Sequence, residues 1–299
     1  MMRLPASARG FTLVELIMVI VITAVIGTTL SVFLRPVIDS YVDIQQRAGL
    51  ADQADTSLRR ILRDVRRAVP NSLRTPNSNC FELVPASTGG RYRMGPDVTN
   101  DASAGCTPGS NCAAYVNTSQ PTTSFDVLST LSVTPSVGDY VVINNQNGND
   151  VYDGVNRSAI TTVTTGLPNL VSTQGTARLG INSLQVSTGY NGGRFQVVKS
   201  SEQSVFYICS GADGTVNASG NGKGTLYRLV RNFTATYPAS CPATASAVPL
   251  ATNVQSCSFV YDPNQGATLQ SGFLWMQLTI TRDNESAQLA VGAHVMNVP

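Results

Sequence analysis

Histidine is almost absent from this 299-residue sequence: there is one, His294. No Ser-Lys or Cys-His constellation accompanies it, so nothing pairs a nucleophile with a base, and the chain reads as a non-enzyme. By alternation along its strand, His294 falls on the face opposite Val291, Ala293 and Val295, an ordinary surface position. Metal-ligand spacing is missing too. None of the six cysteines shows a C-x-x-C pair. The oxygen-rich stretch from Asn144 to Asn156 lacks the spacing and the closing Glu of an EF-hand loop, so neither metal nor cofactor is expected. SGNGKGT (Ser219 to Thr225) has the outline of a phosphate loop. Gly224 stands where Ser or Thr would be needed, however, and no helical pattern follows, so a glycine-rich hairpin is the better reading. Long apolar runs are equally scarce. There is one, from Phe11 to Leu34, and among its 24 residues only Glu15 is ionisable.

That run is long enough to cross a hydrocarbon core of ~30 Å as a helix. It is too long for an ordinary secretory h-region, and no small-x-small site follows it, so a retained anchor is expected. Arg3 and Arg9 precede it without an acidic partner, which puts residues 1–10 in the cytoplasm and everything after Leu34 outside. The cysteines agree: Cys80, Cys106, Cys112, Cys209, Cys241 and Cys257 all fall in the external part, where disulfides persist. Only one pairing is expected from the sequence, Cys106 with Cys112, which are close together and separated by turn formers.

Beyond Leu34 a helical period continues. Ala51, Ala54, Leu58, Ile61, Leu62, Val65 and Val69 recur at three- and four-residue steps and form one apolar stripe, with a stop at Pro70-Asn71. Pro36 and Gly49 are expected to kink or soften this rod. From about Thr75 the composition turns to Ser, Thr, Asn and Gly, and strands replace helix. The clearest pair is Leu274 to Thr281 and Leu289 to Val295, joined at Asp283-Asn284-Glu285 as a hairpin. Val254–Tyr261, Thr225–Arg231, Asp139–Asn144 and Val205–Cys209 read as further strands, and 91–123 as a long loop pinned by Cys106 and Cys112. The fold class is therefore α+β: a long N-terminal hydrophobic then amphipathic helix packed on a C-terminal, antiparallel, disulfide-stabilised β-rich head. The expected divisions are 1–10, 11–34, 35–70 and 71–299.

Gly10-Phe11-Thr12-Leu13-Val14-Glu15 carries the functional signal. A charge centred in a membrane span costs ~2.5–3.5 kcal/mol even on the lenient insertion scale, so Glu15 needs a partner. Cleavage after Gly10 would create an α-amine at Phe11, about 6 Å of helical rise from Glu15. Within one chain the two groups need not face each other; between chains their pairing would favour helices side by side in lipid. The basic leader, Gly10, Phe11, the TLVEL run and the apolar helix resemble the class III signal of type IV pilins and of the pseudopilins of type II secretion. That resemblance implies cleavage between Gly10 and Phe11 by a prepilin peptidase, N-methylation of Phe11, and pairing of Glu15 with a neighbouring subunit's amine. Glycine at the cut admits the peptidase backbone.

QADTSLRRILRDVRRAVPNSLR, SCSFVY and the closing HVMNVP resemble, more narrowly, the large minor pilins of mannose-sensitive-haemagglutinin (MSHA) pili, the MshO type, relatives of the J-type minor pseudopilins of type II secretion. The middle, about Arg91 to Gln203, matches no family. The resemblance implies a single-pass inner-membrane protein with a periplasmic head that passes into a surface pilus. Its partners would be major and minor pilin subunits, the prepilin peptidase, the assembly platform and, before assembly, the lipid bilayer. A minor pseudopilin is the alternative, and an adhesin or DNA-binding tip module a lesser one. Arg59, Arg60, Arg63, Arg66 and Arg67 could form a DNA stripe, but Asp55 and Asp64 interleave with them and no aromatic residue does, so no nucleic acid is expected.

Overall fold

The computed structural model describes residues 10–99, 101, 112–165, 175–188, 192–263 and 271–296. The chain divides into two compact units, one ending at Gly49 and the other starting at Leu50. One continuous helix, α1 (Leu13–Arg66), contains Pro36 and ends inside the second unit. The division falls at Gly49, where the sequence reading places a soft point.

Up to Ile44 the large apolar side chains of α1 are exposed, whereas from Leu50 onward the stripe is buried. Ala54, Leu58, Ile61 and Val65 are in the core as expected, and Leu50 and Ser57 join them. Ser57 is tolerated there because its hydroxyl donates to the Gln53 carbonyl at 2.8 Å and to the Leu250 carbonyl at 3.2 Å. Each large stripe residue contributes on the order of 1.5–3 kcal/mol. The helix stops at Arg66, four residues before the expected Pro70. Val69 leaves the helical path to donate its N–H to the Val84 carbonyl at 2.8 Å, and Asn71 turns in the left-handed region (φ 61°).

The stripe packs on a seven-stranded antiparallel sheet. Its strands are β1 (Arg74–Asn77), β2 (Cys80–Leu83), β9 (Ser204–Ser210), β10 (Gly224–Arg231), β11 (Val248–Asp262), β12 (Ser271–Arg282) and β13 (Glu285–Met296), in that spatial order. β9 is buried on both faces. Val205, Tyr207 and Cys209 face the helix, while Phe206 and Ile208 join Cys80, Leu229 and Cys241 on the other side, so its sequence is a continuous apolar run. β12 and β13 form the expected hairpin. Its turn has two residues, Asp283 (φ 52°) and Asn284 (φ 66°), the doubly positive geometry that matches strand twist. His294 is exposed on β13, edge-on to Phe273 at 5.1 Å. Disulfides join Cys80 to Cys241 and Cys209 to Cys257. Cys112 is also disulfide-bonded; Cys106, the partner expected for it, lies outside the described residues.

Between β2 and β9 the chain inserts a second, six-stranded antiparallel sheet. It comprises β3 (Thr88–Arg91), β8 (Arg194–Val198), β5 (Tyr140–Ile143), β6 (Arg157–Thr165), β7 (Ala177–Leu184) and β4 (Thr122–Val127), in that order. A bridge from Tyr92 to Val127 joins the two ends, helped by the Leu128 N–H donating to the Arg91 carbonyl at 2.8 Å. The sheet thus closes into a small barrel around Phe125, Leu179, Phe195 and Val197. The β3–β4 connection, read as a loop, contributes to this core: Ala114 and Val116 are buried. Arg178 holds it in place, with Nε donating to Asp126 at 2.6 Å and Nη2 to the Cys112 carbonyl at 2.7 Å. The buried Tyr92 hydroxyl has no hydrogen-bond partner among the described residues, and burial pushes its titration up to about 12. Tyr92→Phe removes an unsatisfied polar atom and is expected to raise stability by ~1 kcal/mol in denaturant unfolding.

Two polar networks lock the parts together. From the helix, Asp64 accepts from the Tyr207 hydroxyl at 2.6 Å and from Arg228 Nη2 at 2.9 Å, and Arg228 also pairs with Glu202. Burial pushes the Tyr207 phenol up, and the Asp64 carboxylate adds to it. The second network uses the asparagine-rich stretch weighed above as a cation loop. Asn145 Nδ2 donates to the Pro70 carbonyl at 2.5 Å, Asn156 Nδ2 donates to Asn145 at 2.6 Å, and Asn71 Nδ2 donates to the Asn145 carbonyl at 2.8 Å. These oxygens and amides clamp the turn that follows the helix. The short α2 (Asp150–Asp153) in the same stretch presents Tyr152 to Arg74, which is 1% exposed and lies 3.3 Å from the ring centroid.

Glu82, beside Arg74 at 3.7 Å, has its carboxyl pushed up from the ordinary value, chiefly by burial, with the Ser204 hydrogen bond and Arg74 opposing. A carboxyl with a raised folded pKa holds its proton in the native state after the unfolded chain has lost it. Stability is therefore expected to fall as pH rises from the unfolded value through the folded one. Glu82→Gln should flatten that part of a stability-against-pH curve measured by urea unfolding.

The SGNGKGT segment is a hairpin connection, as expected. An added Cβ at Gly222 would stand 2.3 Å from the Asn253 carbonyl, and Lys223 pairs with Asp213 at 3.2 Å. Glycine there permits close backbone approach.

Candidate functional site: the helix start and its unpaired carboxylate

Gly10 and Phe11 lie outside the helix, and Phe11 is 81% exposed. The helical hydrogen-bond ladder starts at Thr12. Its carbonyl accepts from Glu15 N–H at 3.1 Å and Leu16 N–H at 3.2 Å, and its hydroxyl accepts from Glu15 N–H at 3.3 Å. Thr12 is thus the N-cap and Glu15 the N3 residue, the spacing of a capping box. Sequence reading passed over this local role, although the Thr-x-x-Glu spacing is visible. It places the Glu15 carboxylate on the first turn, where the helix dipole favours negative charge.

The remaining polar side chains of the apolar run are all satisfied within the helix. The hydroxyls of Thr23, Thr28, Thr29 and Ser31 donate to carbonyls three or four residues back at 2.8–3.0 Å. Such back-bonding removes the cost of a hydroxyl in lipid. Glu15 differs from them: its carboxylate has no hydrogen bond or ion pair among the described residues. A helix of this length and composition can cross a membrane.

Cleavage at Gly10-Phe11 would add one cation at the exposed end of this helix, close to Glu15, the one carboxylate of the run from Phe11 to Leu34. Of the other residues singled out in the sequence, the helix arginines Arg59, Arg60, Arg63, Arg66 and Arg67 are all exposed, and Arg59 pairs with Asp55 at 2.5 Å. The five described cysteines are disulfide-bonded.

Residues 5–31 match the family model of the prokaryotic N-terminal methylation motif. The chain therefore carries a type IV pilin-like prepilin signal, which implies processing by a prepilin peptidase, assembly with other pilins and membrane anchoring. No curated protein and no solved structure matches the chain.

Proposed function

We propose that this chain is a minor type IV pilin of the MSHA type, processed between Gly10 and Phe11, N-methylated at Phe11 and built into a surface filament through Glu15. In this reading 1–10 is the leader, 11–34 the membrane and assembly helix, 35–70 the amphipathic stalk and 71–299 the head. The protein waits in the inner membrane with its head in the periplasm. It is the substrate of an enzyme and has no catalytic role of its own.

One observation carries the reading. In the apolar run from Phe11 to Leu34, where the hydroxyls of Thr23, Thr28, Thr29 and Ser31 are satisfied within the helix, the one carboxylate, Glu15, lies four residues from the proposed cleavage position with no partner among the described residues. Support for the narrower assignment comes from the placement of the resembling segments. The second half of α1, β11 and β13 all belong to the helix-on-sheet unit, and the stretch resembling nothing is the inserted barrel. A retained Glu15 fits a subunit that accepts a neighbour above it, hence a near-tip, initiating position.

Deleting the chain and scoring surface pili against secreted protein separates the two machines. Loss of pili with secretion intact is the expected result; loss of secretion with pili intact would make the chain a minor pseudopilin.

A further inference from the structure

A cleft of about 640 Å³ lies between the end of α1 and the outer face of the barrel, within the ~300–1,000 Å³ of ordinary ligand sites. Four arginines line it, Arg66 and Arg67 at the end of the helix, Arg91 from β3 and Arg194 from β8, and among the described residues no carboxylate does. Asp64 and Glu202, which line a neighbouring pocket with Arg67, are committed to Arg228. None of the four cleft arginines has an ion-pair partner among the described residues.

The barrel itself is built against its own stability here. Arg91 and Arg194 are direct cross-strand partners in the β3–β8 ladder. Like charges set opposite each other repel, and a local rule broken without compensation marks a site kept for something other than folding.

A second feature narrows the ligand. Gln196 is two positions beyond Arg194 and shares its face, since Phe195 and Val197 point into the barrel core. Its Oε1 is buried in the cleft wall without a hydrogen-bond partner. An amide oxygen accepts, so with a small turn of the Gln196 side chain toward the cleft it can take an N–H or O–H from a ligand. Sulfate or a phosphodiester would satisfy the guanidinium forks and leave Gln196 unanswered. A sugar acid brings a carboxylate for the arginines and hydroxyl donors for the amide oxygen.

We propose that this cleft binds an acidic saccharide, its carboxylates held by Arg91, Arg194, Arg66 and Arg67 and a hydroxyl by Gln196. The proposal rests on the unit that starts at Leu50, which joins the end of α1 to the head, and holds for a pilus or a secretion filament.

The test is calorimetric titration of the full chain in detergent with trigalacturonate. Its methyl ester, inorganic sulfate and a short DNA duplex serve as comparison ligands. Trigalacturonate is expected to bind with an affinity that falls as salt rises, and the ester and sulfate at least about tenfold more weakly. Arg91→Ala with Arg194→Ala should weaken trigalacturonate by about tenfold or more while the melting temperature holds or rises. Gln196→Leu should weaken trigalacturonate and leave sulfate unchanged, and Arg59→Ala should change neither. Absence of trigalacturonate binding, equal binding of the ester, an indifferent Gln196→Leu, or tighter binding of the duplex would each overturn the proposal.

Discussion

Glu15→Ala is expected to leave leader cleavage intact and reduce incorporation into filaments by about a hundredfold or more. Cleavage should survive because Gly10 and Phe11 are untouched. The helix start should survive as well, because Thr12 bonds the backbone N–H of residue 15 whatever its side chain. Two effects then add. In the filament, the neighbour's amine would be left buried without its counter-charge, and breaking such a pair costs ~3–5 kcal/mol. In the bilayer, the waiting subunit loses a carboxylate whose presence near the end of the span costs less than the ~2.5–3.5 kcal/mol of a central charge, so it becomes more comfortable where it is. Both effects favour the unassembled form. Quantifying the chain in sheared-filament and membrane fractions checks this. An unchanged filament fraction would remove Glu15 from assembly, and Glu15→Gln should behave like Glu15→Ala if charge is what matters.

Arg74→Met should be the most damaging single change in the head. The guanidinium is fully enclosed. Nη1 donates to the Thr234 carbonyl at 3.1 Å and Nη2 to Asn149 at 2.5 Å, Glu82 is 3.7 Å away, and Tyr152 covers one face. Methionine fills much of the volume but leaves the Glu82 carboxylate, itself almost fully buried, without its ion-pair partner and with only the weaker field of Arg231. The expected cost is ~3–5 kcal/mol, or roughly 10 °C in melting temperature for a head of this size. Adding Glu82→Gln should recover part of that loss, because the double variant buries no unpaired charge. A fall of only a degree or two in Arg74→Met would show that the network is dispensable.

Most of the helix-on-sheet unit was legible because its residues obey a single period. Ala54, Leu58, Ile61 and Val65 repeat at helical steps, and β12 and β13 alternate around a turn whose Asp and Asn suit positive φ. β9 was legible for a different reason, its continuous apolar run. The barrel was not. β3 (TGGR), β6 (RSAITTVTT) and β8 (RFQVV) are short or rich in Thr, Ser and Gly, and only pairing between distant segments, β3 with β8 and β4 with β7, gives them a common interior. Local periodicity contains no trace of that closure.

The same limit hides what two polar stretches do in the fold. Asn144 to Asn156 has the oxygen density of a cation loop, and it becomes a clamp only because Pro70 and Asn71 arrive beside it. Arg66 and Arg67 looked like part of a solvated helix face; Arg91 and Arg194, far away in sequence, turn that end of the face into the wall of a cleft. At the N-terminus the reading succeeded because the chemistry is local: a glycine, a helix start and one carboxylate within six residues. Even there the capping role of Thr12 went unnoticed until the hydrogen bonds were drawn.

The central claim is that this chain is cut at Gly10-Phe11 and used as a filament subunit, with Glu15 meeting a new amine. Intact mass and N-terminal analysis of the protein sheared from cell surfaces test it most directly. The expected species begins at N-methylated Phe11, with the cysteine pairs Cys80–Cys241 and Cys209–Cys257 oxidised; a chain from the same fraction still beginning at Met1 would contradict the account.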